Sequence, residues 1–144
     1  MSMFSKIFGG RPKRREEASA DEIPKVISQL QESAQDGHFV VFIFVPSDSK
    51  DDEAVNLQYS IDGGVVGFDW VLISPRNIAD KASVIELASR LGYQLEEHEE
   101  NECRFLRMIG SGISELGARI IQDVYKIDRQ TKLELMTQGF EWQP

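Results

Sequence analysis

The stretch from His38 to Val45 is a nearly unbroken run of β-branched and aromatic residues. A strand with one wet face alternates apolar and polar side chains, so a run without alternation predicts a strand covered on both faces. Pro46 ends it, and Ser47 to Glu53 follows as a polar, strongly acidic stretch that reads as an exposed loop. The rest of the chain has to supply the cover.

Upstream, Ser19 and Glu22 have capping-box spacing, and Pro24 falls in a first helical turn, where its missing N–H does little harm. Ile23, Val26, Ile27, Leu30 and Ala34 make one apolar helical stripe, and Gly37 supplies the stop. Downstream, Val55, Leu57, Tyr59 and Ile61 alternate with Asn56, Gln58 and Ser60, a strand with one wet face. Asp62-Gly63-Gly64 turns the chain, and Val65 to Ile73 returns as its hairpin partner. Ser74-Pro75-Arg76-Asn77 closes that strand, with Asn77 placed to cap a helix that buries Ile78, Val84, Ile85, Ala88 and Leu91 and stops at Gly92. Tyr93 and Leu95 open a strand that runs into the acidic stretch Glu96 to Glu102, and Cys103 to Ile109 is the next. Ile113, Leu116, Gly117, Ile120, Ile121 and Val124 share one helical face, with Gly117 allowing close approach to a sheet. Leu133 to Thr137 is the last strand.

The order is α-β-β-β-α-β-β-α-β, and from the third strand onward it contains β-α-β-β-α-β. The expected fold is α+β: a ferredoxin-like βαββαβ body with an additional N-terminal helix and strands, a mostly antiparallel sheet, and helices on one face. With 144 residues, 41% of them hydrophobic, residues 19–144 make a single α+β domain able to fold without disulfide or metal. Residues 1–18 read as a flexible basic tail. Within it, Phe4, Ile7 and Phe8 fit one turn of an amphipathic helix beside the basic cluster, a weak anchor to a membrane or partner, against the blander reading of an ordinary basic terminus.

Charge is unevenly placed. Lys6, Arg11, Lys13, Arg14 and Arg15 stand in the first fifteen residues with no acid, so the formal −8 of the chain leaves −13 on residues 16–144. A body that negative repels phosphate backbones, which argues against direct nucleic-acid binding and suits a protein partner with a basic surface. Cys103 is the only cysteine, which excludes an intramolecular disulfide and fits a reducing compartment. The longest apolar run falls far short of the roughly 20 residues a transmembrane helix needs, so a cytoplasmic location is expected.

No phosphate-binding loop, dinucleotide fingerprint, nucleophile elbow or zinc-protease motif is present, and no cofactor, catalytic or metal-binding residue is assigned. His98 lies among glutamates; Glu96, His98 and Glu100 would share one face of a strand, and a solvated acidic hairpin is favoured over metal binding. Cys103, flanked by Glu100 and Glu102, reads as an inert, half-buried thiol. Asp69 stands inside the apolar strand Gly67 to Ile73 and needs a partner, a hydrogen bond or solvent; Arg76 is the partner proposed from sequence, making Asp69 with Arg76 a candidate polar site, with a partly wet strand face as the favoured alternative. Trp142 marks a contact surface if exposed and a seal on the sheet if it folds back.

The favoured function is a non-catalytic, acidic protein-binding module, of inhibitor or immunity type, acting on a basic partner through Glu96, Glu97, Glu99, Glu100, Asp51, Asp52 and Trp142. The alternatives are a structural homo-oligomer, such as a homodimer paired through an uncovered Val55 to Ile61 strand, and then a ligand-binding or enzyme domain centred on Asp69 and Arg76 with His38. The β-α-β-β-α-β body, the acidity, and a helix ending in Leu91-Gly92-Tyr93 before an acidic strand resemble the ribonuclease E inhibitor protein B family of bacteria over residues 65–142. Gly139-Phe140-Glu141-Trp142 is loosely similar to that family's glycine-rich ending. The resemblance implies binding to, and inhibition of, a ribonuclease without catalysis, and carries over no functional residue.

Overall fold

The computed structural model describes residues 16–144, so the expectation for Phe4, Ile7 and Phe8 lies outside the described residues. The strands are β1 (Glu16–Ser19), β2 (Phe39–Phe44), β3 (Val55–Asp62), β4 (Val65–Val71), β5 (Gln94–Glu100), β6 (Cys103–Ile109) and β7 (Lys132–Gln138). The helices are α1 (Ile23–Ser33), α2 (Pro75–Ala79), α3 (Lys81–Arg90) and α4 (Ser114–Arg119), the last continuing as a wider π turn over Ile120–Val124. The strands form one seven-stranded sheet in the order β1-β7-β2-β3-β4-β6-β5, each neighbouring pair antiparallel.

The fold is thus α+β with an antiparallel sheet, but its topology is not the ferredoxin one. In a ferredoxin-like body the last strand of βαββαβ lies beside the first, which would set β7 against β4. Here β2 and β3 stand between them. The Gly63-Gly64 turn folds β3 onto β4, with both glycines at positive φ and their N–H groups donating to Asp36, so that edge of β4 is already occupied. The acidic hairpin does follow the split pattern, with β6 between β4 and β5.

The buried residues of the helices share one core with alternate strand positions. Ile23, Val26, Ile27 and Leu30 of α1, Val84, Leu87 and Ala88 of α3, and Leu116, Ala118, Ile120 and Ile121 pack with Val40, Phe42, Leu57, Tyr59, Phe68, Trp70, Leu106 and Met108. Gly117 has the close-packing role expected of it. Its N–H donates to Tyr59 Oη at 2.8 Å, and an added Cβ would sit 3.0 Å from that oxygen. The Tyr59 hydroxyl in turn donates to the Ile113 carbonyl at 2.9 Å.

Local differences from the sequence reading have simple causes. Glu16–Ser19, placed by sequence largely in the tail, pairs with β7 as the sheet's edge strand. The Ser19–Glu22 capping box forms, but around a 3₁₀ turn over Ala20–Glu22 that leads into α1. The helix after β4 is capped by Ser74 rather than Asn77. Asn77 is buried inside α2, where its side chain accepts from Asn56 N and donates to Asn56 O, tying the helix to β3. Ile78 is exposed instead of buried.

Candidate functional site

Strand register assembles a polar row that spacing alone does not reveal. On the face away from the helices, Val41, Gln58, Asp69, Arg107 and Glu96 lie side by side across β2, β3, β4, β6 and β5. Arg107 Nη1 donates to Asp69 Oδ1 and to Ser60 Oγ, both at 2.9 Å, and Nη2 donates to the Val65 carbonyl at 2.9 Å and the Ser60 carbonyl at 3.3 Å. Asp69 Oδ2 accepts from Ser60 Oγ at 2.5 Å and from Gln58 Nε2 at 3.1 Å. Gly67 makes room: a Cβ there would lie 2.6 Å from Arg107 Cζ, so the guanidinium rests flat on bare backbone.

The partner of Asp69 is therefore Arg107, not Arg76. Asp69 is 0% exposed and Arg107 7%, which corrects both the proposed pair and the expectation of a partly wet strand face. Burial pushes the Asp69 carboxyl above the usual carboxylate range, while Arg107, Ser60 and Gln58 pull it back. Arg76 serves elsewhere. Its Nη1 reaches Asp48 Oδ1 at 3.1 Å and Ser49 Oγ at 2.7 Å, and its Nε reaches Asp80 Oδ2 at 3.1 Å, pinning the loop after β2 to the α2–α3 junction. The Tyr125 hydroxyl donates to the same Asp80 oxygen at 2.7 Å. His38, set beside Asp69 in the enzyme reading, instead meets Ser33 Oγ through Nδ1 at 2.8 Å and lies against Gly139.

The acidic residues gather at one end of the sheet. Among the described residues β5 is an edge strand, paired with β6 alone. Glu96, His98 and Glu100 point to the helix-free face, and Glu97 and Glu99 to the other. His98 Nε2 lies 3.0 Å from Glu96 Oε2, with its ring stacked on Phe105 at 5.2 Å between centroids. Glu97 meets Lys81 at 3.9 Å. Asn101 and Glu102 carry the tight turn into β6 at φ 51° and 66°, an arrangement that asks for residues tolerant of left-handed backbone. Asp51 and Asp52 are exposed and also have positive φ. Their loop leaves the end of β2 that pairs with the start of β3, the end of the sheet at which the β5–β6 turn stands. Four strand spacings separate the two acidic groups, about 19 Å.

Trp142 is 4% exposed. Its Nε1 donates to the Glu17 carbonyl at 3.1 Å, and Lys25 lies over the ring, so it seals the sheet against α1 and offers no contact surface. Cys103 is buried with Val71 and Phe105, and burial together with Glu100 pushes its thiol up. The strand Val55 to Ile61 is paired on both sides and supplies no open edge for a dimer. Among the described residues no group of three or more His, Cys, Asp or Glu is arranged to hold a metal ion, and no helix is long and apolar enough to cross a membrane.

Sequence reasoning missed Arg107 as the partner of Asp69. A signal was present: Arg107 follows Cys103 and Phe105 at period two, which places a cation on an otherwise apolar strand face. Comparison with known proteins adds no neighbour, since no protein-family model, no curated protein and no solved structure matches the chain.

Proposed function

We propose that the protein is a non-catalytic binding module that takes a basic, extended segment of a partner protein along the outer edge of β5. The observation behind this reading is the coincidence of an unshared strand edge with carboxylates on both faces of the same strand. An edge strand offers backbone donors and acceptors to any added strand, and side chains alternating with the pleat select which strand is accepted. Glutamates on both faces favour lysine and arginine. The −13 borne by residues 16–144 would steer such a partner in over a longer range, and Asp51 and Asp52 extend the acidic surface at the same end. An inhibitor or immunity-type role, the ribonuclease inhibition implied by the family resemblance included, is one form this binding can take in a reducing cytoplasm.

Two features favour this over an enzyme or a homodimer. Asp69 and Arg107 satisfy each other and their neighbours, which suits a structural pair. Antiparallel self-pairing of β5 about His98 would set Glu96 against Glu100 and Glu97 against Glu99, and like charges directly opposed destabilise a pair.

The test is capture from native lysate at low and high salt, with Glu97→Lys/Glu99→Lys as the comparison bait. The expected result is a stoichiometric basic protein held by the wild type at low salt and released by salt or by the charge reversal. Binding that survives both would overturn the proposal, as would a partner that leaves hydrogen exchange along β5 unchanged.

A further inference from the structure

The ladder between β2 and β7 stops before either strand does. It runs from Phe39 opposite Gln138 to Ile43 opposite Glu134, and the next partners in register would be Phe44 and Leu133. Instead Phe44 pairs with Val55 of β3, while Leu133 and Lys132 pair with Ala18 and Ser19 of β1. The seam opens there into a cleft of about 700 Å³, walled by Ile43, Phe44, Val45, Tyr125, Ile127 and Leu133, a volume suited to a small molecule. One wall is fixed in advance. The Tyr125 ring stands edge-on to Phe44 at 5.2 Å, carries Arg76 over it at 5.6 Å and is held by its hydroxyl on Asp80. Val45, 50% exposed, leaves an apolar side chain open to whatever enters.

We propose that this cleft binds a small organic anion with an apolar body, a monocarboxylate whose tail lies on the apolar walls and whose carboxylate meets Lys126. Two observations select an anion. The first is the charge of the lining, which sets Lys126 and Lys132 against Glu134 in a chain of 24 acids and 16 bases. Lys132 is answered by Glu22 at 3.1 Å, whereas among the described residues no ion pair involves Lys126. The second is the backbone of Lys126. The Ile127 N–H donates to the Ile121 carbonyl at 3.1 Å across the π turn, and Lys126, inside that closure, sits at φ 56°. Helices commonly place glycine at such a left-handed stop, and a lysine there is strained. Wide π turns and strained side chains collect at functional sites. Here they bring an ammonium to an otherwise mainly apolar lining, where a carboxylate makes the stronger, charge-assisted hydrogen bond. The cleft lies four strand spacings from β5, about 19 Å, and does not depend on the function proposed above.

The test titrates the full chain with two amphiphiles of equal tail length, decanoate and decyltrimethylammonium, each below its micelle concentration. The chain carries a formal −8, so non-specific attraction favours the cation and a preference for decanoate reads the site. Methyl NMR should show saturable one-to-one shifts at Ile43, Val45, Ile127 and Leu133 with decanoate, and binding of the cation roughly tenfold weaker. Lys126→Gly should raise the urea midpoint of the ligand-free protein, since glycine relieves the left-handed backbone, yet weaken decanoate roughly fivefold. Lys126→Arg should keep the binding. Val45→Asp, at an exposed position, should abolish it by setting a like charge in the cleft. Absence of saturable shifts at these methyls overturns the proposal, and so does equal binding of the two amphiphiles. Decanoate affinity unchanged in either Lys126→Gly or Val45→Asp overturns it as well.

Discussion

The side chains of Asp69 and Arg107 complete each other as a buried ion pair at 2.9 Å. Removing one partner of a buried pair leaves an uncompensated charge, so Asp69→Ala should lose about 3–5 kcal/mol of stability in urea unfolding. Gly67→Ala should destabilise by about 1–3 kcal/mol, because a methyl group has to displace a guanidinium that makes four hydrogen bonds. The pH dependence has a definite sign. Burial raises the folded-state pKa of Asp69 above its ordinary 3.8, so the folded protein binds that proton more tightly than the unfolded chain. The associated stability is complete below pH 3.8 and is lost as pH rises through the raised value. The stability of the wild type relative to Asp69→Asn should therefore decline across that window. Glu22 runs the other way. The backbone N–H of Ser19 is the main cause of its lowered pKa, so its contribution fades on acidification through that lowered value.

Individual elements show what the sequence made legible. The unbroken apolar run of β2, the amphipathic stripe of α1, the hairpin at Gly63-Gly64 and the close approach at Gly117 all follow from local spacing, and local spacing is what forms them. Strand order does not, because β2 and β3 are inserted between β4 and β7 by pairing that no spacing records. β1 was missed because Glu16-Glu17-Ala18-Ser19 is too short and polar to show period two. The Asp69–Arg107 pair depends on register between strands 38 positions apart, whereas the acidic edge was readable as composition. The tip of that edge carries a defect open to test. Glu102 sits at φ 66°, where a side chain costs about 1–2 kcal/mol. Glu102→Gly should accordingly raise the urea midpoint, by about 1 kcal/mol in stability, without changing the slope of the transition.

For the molecule as a whole, charge on the open edge governs self-association as well as partner choice. The wild type should run as a 16.3 kDa monomer in light scattering at low salt. Neutralising Glu96, Glu97, Glu99 and Glu100 to glutamine removes the repulsion across a self-paired edge while keeping the backbone groups. That variant should shift toward dimers, whereas Glu97→Lys/Glu99→Lys, which still sets like charges opposite one another, should not.

The last of the described strands in chain order, β7, is inserted between two of the first, β1 and β2. The amino-terminal half can therefore make its β2–β3–β4 meander early, but β1 has no neighbour until β7 arrives. Completion of the sheet waits on Lys132–Gln138, and a chain interrupted before Lys132 is left with both an orphaned strand and an open seam beside β2. Such a fragment would be marked for quality control by the two edges it cannot close.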